Sequence, residues 1–434
     1  MKFGGTSIKD GAAIHNVCRI VARRLDSGPV VVVSAHAGVT DALEELARDA
    51  VRSSGDPGAI RRRHESVLEE LGLGPGVHGG LFEELSDLCR GISLVGELSQ
   101  RSRDYVLSFG ERLAARTVAA AFRAEGIRAS AADACDIGLR TTRRSGRAQL
   151  LEDDARIQAA LKACEGVPVI TGFIARDENG NITTLGRNGS DLSAAFIGNA
   201  LDAEEIQIWT DVDGVLTADP RVVPNARPIP RMCYDEAAEL ANHGGRILHP
   251  SALHPAIQKE IPVRVLNTER PESEGTLVLA SFEEPGVAVR CIAHKRHVTL
   301  VNVQTSRMLA QPGFLARIFR VFEGSGISVD MVATSEVSVS ITLDNEERLD
   351  EAVRSLREFS QVDIHKDLGL ICVVGHGIAH RLGVPARVFR PLEEAGVEVR
   401  MISLGAQKVN VSLLVDGSRV EAAVRALHEE FFGS

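Results

Sequence analysis

The first part of the chain alternates between short apolar runs and longer stretches with one charged face. Residues 30–33 and 167–174 are rich in Val and Ile, which is typical of strands buried on both faces of a parallel sheet. Residues 12–25 and much of 41–123 repeat their apolar positions with helical spacing. Strands that alternate with helices predict an α/β fold with a doubly wound, mainly parallel sheet.

The C-terminal part contains an internal repeat with a fixed offset of 70 residues. Residues 313–320, GFLARIFR, align with residues 383–390, GVPARVFR, and the same offset pairs Met331 with Met401. Each copy reads as strand, loop, amphipathic helix, glycine, strand and strand, which predicts two copies of one small βαβ-type module. Because a module of this size buries little surface alone, we expect the copies to pack as a pair or across subunits.

A polar segment and two short linker-like segments follow the apolar runs. Residues 206–221, IQIWTDVDGVLTADPR, predict a strand followed by turns. The segment lacks the spacing and the terminal Glu of an EF-hand calcium loop, which favours a turn or a position beside a nucleotide. Residues 262–267 predict the last strand of this part, and residues 271–275 and 283–286 predict a linker to the repeat.

Length and composition bound the function. A chain of 434 residues predicts two or three domains. The net charge of −10 argues against nucleic acid or an anionic membrane as the main partner, so any anionic substrate must meet local Arg or Lys side chains. The seven cysteines are scattered with no C-x-x-C spacing, so they indicate neither a zinc site nor a disulfide framework, and we expect no metal-binding residues. With no signal peptide and no long apolar run, we expect a cytoplasmic protein.

Residues 183–195, TTLGRNGSDLSAA, predict a strand, a tight loop and the start of a helix. Such a junction directs backbone N–H groups and the positive end of a helix dipole to one point, where glycines let an anion approach. Arg187 adds a planar fork for a carboxylate or phosphate. The alternative is that Ser190 or Asp191 merely caps the helix and Arg187 is a solvated loop residue.

Two further segments suggest a site of phosphate chemistry. Lys2 stands just before a Gly-Gly turn at Gly4 and Gly5, where an ammonium and backbone donors could surround phosphate oxygens, although the order is not that of a P-loop. The sequence SFGE predicts a second helix start, with Glu111 in its first turn either as a surface acid or as a ligand for an ammonium group. A G-x-G-x-x-G pattern at residues 74–79 follows a helical pattern rather than a strand, so we do not expect a dinucleotide there.

The motifs of the chain resemble those of the aspartate kinases. They are, in order along the chain, KFGGTS (2–7), SAHAGVT (34–40), SFGE (108–111), TTLGRNGSD (183–191), WTDVDGVLTADPR (209–221), RMLAQPGFLA (307–316) and SVDMVATSEVS (328–338). The resemblance implies an amino-acid-kinase fold over residues 1–285, followed by ACT modules over 286–365 and 366–434. Because the two ACT modules of this family interleave, it also implies that residues 288–298 belong with the second module.

The resemblance assigns residues to a site for transfer of phosphate from ATP, with Mg²⁺, to the side-chain carboxylate of L-aspartate. Lys2 and Asp191 would be catalytic, and Thr40, Glu111 and Arg187 would hold the aspartate. The residues implied for ATP are Gly4, Gly5, Ser7, Thr210, Asp211, Asp219, Arg221 and Arg246. Such a transfer requires mainly in-line placement and charge neutralisation, and the acceptor carboxylate is already ionised at neutral pH.

The resemblance also implies feedback control by L-lysine through the first ACT module. The implied pocket contains Met308, Gly313, Phe314, Leu315, Asp330, Ser335, Glu336 and Val337. The second copy carries Arg400 where the first has Asp330, so a cationic amino acid would meet a like charge there. Because ACT modules commonly pair edge to edge, we expect a homodimer or homotetramer.

Two alternatives to this function remain. The chain could be a kinase of the same fold that phosphorylates another carboxylate, or an amino-acid sensor whose kinase part is inactive. The second alternative is disfavoured by the presence of Lys2 and Asp191. The pocket acids favour lysine over threonine as the effector, because lysine carries two ammonium groups.

Overall fold

A computed structural model describes residues 1–53, 55–142, 148–243, 250–282, 287–304, 313–376, 378, 381–404 and 409–433. The chain divides into two compact units. We call them the N-terminal unit (Met1–Val215, Pro230–Tyr234 and Ile247–Phe282) and the C-terminal unit (Leu216–Ile229, Asp235–Arg246 and Glu283–Ser434). The boundaries at residues 285 and 365 that the sequence suggests stay a prediction.

The N-terminal unit is built from twelve strands and eight helices within the described residues. The strands are β1 Lys2–Phe3, β2 Val31–Val33, β3 Ala129–Ala132, β4 Arg140–Thr141, β5 Leu150–Leu151, β6 Val167–Thr171, β7 Ile174–Arg176, β8 Ile182–Thr184, β9 Ile206–Thr210, β10 Arg231–Cys233, β11 Val263–Asn267 and β12 Thr276–Leu279. The helices are α1 Gly11–Ala22, α2 Val39–Asp49, α3 Gly58–Glu70, α4 Leu81–Val95, α5 Gln100–Ala124, α6 Asp154–Lys162, α7 Gly189–Ala200 and α9 Pro250–Gln258, while α8 (Tyr234–Asn242) lies almost wholly in the C-terminal unit.

The main sheet has eight strands in the order β10-β12-β11-β9-β1-β2-β6-β3. The neighbours from β11 to β3 are parallel, and β12 is antiparallel to β11. In β2, Val31 and Val33 pack in a cluster with α1 and α5, whereas Val32 packs in another cluster with α6 and α7. Helices therefore cover both faces, which confirms the predicted doubly wound sheet and explains why its strands are apolar at every position.

The apolar run 167–174 is two strands rather than one. The chain turns at Gly172 and Phe173, so β6 stays in the main sheet while β7 joins a second sheet of order β5-β4-β7-β8. Phe173 adopts a left-handed φ of 64°, and a Cβ at Gly172 would lie 2.5 Å from the Cβ of Ser190. The close approach of helix α7 thus requires a glycine at residue 172.

Residues 271–275 are also not a linker. They form the turn between the antiparallel strands β11 and β12, so residues 262–267 are followed by one more strand of the N-terminal unit. A Cβ at Gly275 would lie 1.9 Å from the carbonyl oxygen of Val265, and its φ is 65°. A sequence with Pro and Gly can mark such a tight turn as readily as a linker. Residues 283–286 lie outside the described part of the chain.

The C-terminal unit contains one six-stranded antiparallel sheet. Its strands are β13 Cys291–Gln304, β14 Met331–Thr334, β15 Ser338–Leu343, β16 Gln361–Val374, β17 Val399–Ser403 and β18 Asn410–Asp416, in the order β14-β15-β13-β16-β18-β17. Its other helices are α10 Phe314–Gly324, α11 Leu349–Arg357, α12 Val384–Glu394 and α13 Val420–Phe432. Each copy of the repeat therefore ends with a helix, α11 or α13, that the repeat pattern did not predict.

The two copies of the repeat pack against each other. Met331 and Met401, which the sequence repeat pairs, lie in one buried cluster that also holds Val298, Leu300, Leu368, Leu370 and Leu414. The long strands β13 and β16 pair along their length, and Cys291–Lys295 lies opposite Leu370–Val374. The predicted packing as a pair is thus present within one chain.

Candidate active site

The loop after β1 lies at the carboxyl end of the central strands of the main sheet. The N–H group of Gly4 donates to the carbonyl of Trp209 at 3.2 Å, and Ser7 Oγ lies 2.7 Å from Thr268 Oγ1. A Cβ at Gly5 would lie only 2.6 Å from the carbonyl oxygen of Ala35. The loop can approach the end of β2 this closely because residue 5 has no side chain.

Lys2 and Asp191 form a nearly buried ion pair. Lys2 Nζ lies 2.6 Å from Asp191 Oδ1, and the two side chains are 11% and 8% exposed. Helix α7 begins at Gly189, and its N-cap is Asn188 in a left-handed conformation. Neither Ser190 nor Asp191 is the N-cap. The carboxylate of Asp191 therefore extends from the first turn of the helix to the ammonium of Lys2.

Glu111 lies in the middle of α5 and not in the first turn of a helix as predicted. The helix begins at Gln100, and the glycine before Glu111 serves packing rather than a helix start. A Cβ at Gly110 would lie 2.7 Å from the Cβ of Ala35, so the missing side chain lets α5 pack closely against the end of β2.

The carboxyl group of Glu111 is buried and only half satisfied. Its Oε1 accepts a hydrogen bond from the N–H group of Ala35 at 3.0 Å, while Oε2 has no partner among the described residues. Burial raises the pKa of Glu111 to about 8, and the Ala35 N–H group and the Lys2 charge offset part of this effect. With this pKa Glu111 is largely protonated at neutral pH, and one of its oxygens is left without a partner among the described residues.

Arg187 and Thr40 occupy two other loops of the N-terminal unit. Arg187 is exposed, and its guanidinium makes no hydrogen bond or ion pair with the described residues. Thr40 is half-buried in the first turn of α2, after Gly38 in a left-handed conformation. Asp104, which the sequence reading missed, accepts from Thr184 at 2.9 Å and so anchors the end of β8 that leads to the Arg187 loop.

The residues predicted for ATP are divided between the two units. Thr210 ends β9 beside β1, and its hydroxyl donates to the exposed Asp211 at 3.2 Å. Asp219 and Arg221 belong to the C-terminal unit, where they pair with each other at 2.6 Å, and the guanidinium lowers the pKa of Asp219. Arg246 lies outside the described residues.

His36, His64 and His78 are buried in one cluster of the N-terminal unit, and the sequence analysis did not predict it. The ring of His64 contacts the rings of His36 and His78 at centroid distances of 4.8 and 5.3 Å. Neither ring nitrogen of His64 has a hydrogen-bond partner among the described residues. Burial lowers the pKa of His36 and of His78 to about 4, and that of His64 well below its usual value.

The predicted effector residues lie around the first repeat. Asp330 precedes β14, and its carboxylate is 3.9 Å from the ammonium of Lys295, which also pairs with Asp344. Gly313 caps α10 with a φ of 85°, as Gly383 does in the second repeat. The remaining predicted residues are Phe314 and Leu315 in the first turn of α10 and Ser335, Glu336 and Val337 between β14 and β15, while Met308 lies outside the described residues.

The fold and its site agree with the matches to known families. Residues 1–267 match the amino acid kinase family, and residues 301–359 and 371–431 match the ACT domain. The molecule is therefore an amino acid kinase followed by ACT modules.

Similar proteins and solved structures identify the family within this class. Aspartokinase 1, chloroplastic, of Arabidopsis thaliana is 40% identical over 459 residues, which cover 100% of this chain and 80% of that protein. The crystal structure of E. coli aspartokinase III in complex with aspartate and ADP (R-state) has a TM-score of 0.85 at 34% identity and covers 99% of both chains. Its complex with lysine and aspartate (T-state) has a TM-score of 0.80 at 34% identity, covering 99% of this chain and 98% of that one. The chain belongs to the aspartokinase family.

Within the described ranges, no helix has both the length and the hydrophobicity that crossing a bilayer requires.

Proposed function

We propose that the chain transfers the γ-phosphoryl group of ATP to the side-chain carboxylate of L-aspartate and so forms 4-phospho-L-aspartate. This reaction opens the biosynthesis of lysine, threonine and methionine. Membership of the aspartokinase family and the E. coli structure with aspartate and ADP support the choice of substrates. The observation in this chain that carries the proposal is buried Glu111, whose Oε2 has no partner among the described residues and whose pKa, raised by burial, is partly lowered by the nearby Lys2 charge.

Glu111 binds the α-ammonium group of aspartate in this proposal. A buried carboxyl group with an unpartnered oxygen is unfavourable unless a ligand completes it. An ammonium group supplies both the missing hydrogen bond and the opposite charge, so its arrival lowers the pKa of Glu111 and ionises it. A ligand with an amino group is therefore stabilised by ionised Glu111, and a ligand without one is not.

Arg187 and Thr40 hold the α-carboxylate and the acceptor end of the substrate. The guanidinium of Arg187 is uncommitted among the described residues, and its planar fork matches a carboxylate. Its loop is anchored through Thr184 and Asp104, which limits the motion needed to reach the substrate. A ligand bound at both its ammonium and its carboxylate presents its side chain in one direction, which is the basis of in-line attack.

Lys2 neutralises the transferring phosphoryl group, and Asp191 positions Lys2. The ion pair of 2.6 Å fixes the ammonium at the carboxyl end of β1 before the substrates bind. A charge that is already in place stabilises the charge spread over the phosphoryl oxygens without a cost of reorganisation. The aspartate carboxylate is itself the nucleophile, so the site needs no general base.

ATP lies along Gly4, Gly5 and Ser7 in this proposal, with Thr210 and Asp211 beside it. The N–H groups of Gly4 and Ser7 already donate to the carbonyls of Trp209 and Gly4, so that of Gly5 is the backbone donor of the loop that can meet a phosphate. The exposed carboxylate of Asp211 suits the hydrated Mg²⁺ that enters with ATP as its chelate. We assign Asp219, Arg221 and Arg246 to the same nucleotide on the family resemblance.

The proposed regulation is feedback inhibition by L-lysine through the first ACT module. The E. coli complex with lysine supports this effector. Asp330 offers a carboxylate that is 30% exposed, and Glu336 is exposed in the turn that follows β14. The partly exposed apolar side chains Leu315 and Val337 support pairing of ACT modules between subunits, in a cytoplasmic homodimer or homotetramer.

An acceptor comparison tests the proposed reaction. ADP formation by the purified full chain is followed with MgATP and L-aspartate, L-glutamate or no acceptor. We expect turnover with aspartate at least 100-fold above the other two, because the site positions one side-chain length. Equal turnover with glutamate would indicate a kinase for another carboxylate, and no turnover above the blank would indicate an inactive kinase domain.

A further inference from the structure

Three metal-ligating side chains of the C-terminal unit converge outside the kinase site. Glu239 lies in the last turn of α8, His243 follows the end of that helix, and Cys372 lies in β16. One possible ligand atom of each residue lies within 4.8 Å of those of the other two. Neither the proposed phosphoryl transfer nor the proposed lysine pocket uses any of them.

The imidazole of His243 is oriented by its own helix. Its Nδ1 lies 2.7 Å from the carbonyl oxygen of Glu239, so we assign the N–H group to Nδ1. The same Nδ1 lies 3.5 Å from Glu239 Oε2. This tautomer leaves the lone pair of Nε2 available, and Nε2 lies 3.4 Å from Ser412 Oγ. A histidine whose other nitrogen donates to a carbonyl is typical of metal ligands.

Asn410 and Ser412 of β18 hold the other two groups. Asn410 Nδ2 donates to Glu239 Oε2 at 2.5 Å and lies 3.5 Å from Cys372 Sγ. Ser412 Oγ lies 3.6 Å from the same sulfur. The carboxylate, the imidazole and the thiol thus share neighbours on one strand, β18.

We propose that Glu239, His243 and Cys372 bind one zinc ion. A sulfur, a nitrogen and an oxygen donor together suit Zn²⁺ better than Mg²⁺ or Ca²⁺, which prefer oxygen alone. Zinc bonds of about 2.0–2.3 Å place tetrahedral ligands roughly 3.3–3.8 Å apart, so closure from the present separations requires side-chain rotations of only about 1 Å. The side chains of Glu239 and His243 are 34% and 16% exposed, which gives the ion a route from solvent.

The bound ion would join α8 to β16 within the C-terminal unit, with water or the Ser412 hydroxyl as its fourth ligand. The cysteine spacing gave no sign of such a site. Its three ligands come from a helix and from a strand far along the chain, and only one of them is a cysteine. The fold brings them together through the contact between α8 and the sheet.

Cobalt binding tests the site directly, because a thiolate bound to Co²⁺ gives a charge-transfer absorption in the near ultraviolet. The full chain is freed of metal with a chelator and titrated with Co²⁺ and then Zn²⁺, without nucleotide. We expect one equivalent of Co²⁺ with the charge-transfer band, and its displacement by one equivalent of Zn²⁺. Cys372→Ser should remove the band, and the matched control Cys135→Ser, at a buried cysteine of the N-terminal unit, should keep it.

Two further variants guard against a folding effect of the Cys372 change. His243→Phe keeps an aromatic ring at a half-buried position and should weaken zinc binding at least tenfold, and Asn410→Ala should weaken it about 10–100-fold through the orientation of Glu239. The proposal is overturned if the wild type gives no thiolate band, if the band survives in Cys372→Ser, or if His243→Phe binds zinc as tightly as the wild type.

Discussion

The ammonium of Lys2 and the carboxylate of Asp191 are 2.6 Å apart and almost excluded from solvent. Lys2 is the first residue of β1, and Asp191 lies in the first turn of α7, so the two are distant in sequence. Burial removes hydration from both charges, so such a pair adds little to stability by itself. The Lys2 ammonium lies beside the loop, 3.7 Å from where a Cβ at Gly4 would stand. In the function proposed above, this ammonium is the positive charge that meets the phosphoryl group.

Glu111→Gln should weaken aspartate binding and stabilise the protein at alkaline pH. The variant loses the charge that meets the substrate ammonium, which costs roughly 2–5 kcal/mol in aspartate affinity with little change for ATP. The folded pKa of about 8 lies above the unfolded value of 4.5, so wild-type stability falls as the pH rises from about 4.5 through 8. Glutamine removes that loss.

Steady-state kinetics and urea unfolding at pH 6 and pH 9 measure both effects of the Glu111 change. Glu83→Gln is the matched control, since Glu83 is an exposed acid paired with Arg61. An unchanged KM for aspartate would contradict the substrate role, and a variant less stable than wild type at pH 9 would contradict the buried ionisation.

Arg187→Ala should raise the KM for aspartate and leave that for ATP nearly unchanged. Loss of the guanidinium costs roughly 2–5 kcal/mol because the α-carboxylate then lacks its partner. Arg187→Lys should recover little, since a lysine ammonium lacks the bidentate fork. Initial rates with each substrate varied in turn give the two KM values. A rise in the KM for ATP alone would show that Arg187 binds the nucleotide and not aspartate.

The motifs and the repeat could be predicted from sequence because they are local patterns. The strand, loop and helix around Arg187 and the pairing of Met331 with Met401 both depend on residues close in the chain or on a fixed offset. Glu111 was misplaced within its helix because Gly110 looks like a helix start. Gly110 instead allows close packing of α5 against Ala35, which is distant in sequence.

Contacts between residues distant in sequence also affect the predicted effector pocket, and the sequence alone did not predict them. Asp330 was predicted to bind an ammonium group of the effector, and the sequence did not indicate that the ammonium of Lys295 from β13 lies 3.9 Å from its carboxylate. The split of residues 167–174 between two sheets has the same kind of cause, since it depends on how closely α7 approaches Gly172. Neither contact can be predicted from the local pattern of apolar residues.

Lysine inhibition should respond in opposite directions to two changes near Asp330. Asp330→Ala should give an active enzyme that lysine no longer inhibits. Lys295→Met removes an ammonium 3.9 Å from the Asp330 carboxylate, which would otherwise compete with the ligand for that carboxylate. A partly exposed pair of this kind contributes up to about 1 kcal/mol, so up to roughly fivefold less lysine should suffice. Inhibition curves at fixed aspartate measure this.

Arg400→Ala in the second repeat is the matched control for the lysine experiment and should leave the response unchanged. If the wild type ignores lysine but responds to threonine, the choice of effector is wrong. If Arg400→Ala abolishes inhibition while Asp330→Ala does not, the pocket lies in the second repeat.

His64→Phe should make the protein less sensitive to acid. The folded protein keeps His36, His64 and His78 neutral, whereas the unfolded chain protonates them below about pH 6.5, so stability falls as the pH drops from about 6.5 toward 4. For His36 alone this amounts to about 2 kcal/mol at pH 5. Phenylalanine retains the ring contact with Phe82 and removes one of the three groups.

Urea unfolding at pH 7 and pH 5 gives the loss of stability for each protein. His15→Ala, at a half-buried histidine paired with Glu125, should show the wild-type loss between the two pH values. The same loss in His64→Phe as in the wild type would show that the buried histidines do not set the acid sensitivity.

Trapping of the product with hydroxylamine tests the account most directly, because an acyl phosphate at the aspartate side chain is converted to aspartate β-hydroxamate. The wild type with MgATP and L-aspartate should form this hydroxamate. Lys2→Ala should form it about 10²–10³-fold more slowly while retaining its fold by circular dichroism, because it lacks the fixed charge at the phosphoryl group. Near-normal hydroxamate formation by Lys2→Ala, or none by the wild type, would contradict the assignment of the Lys2–Asp191 site to phosphoryl transfer.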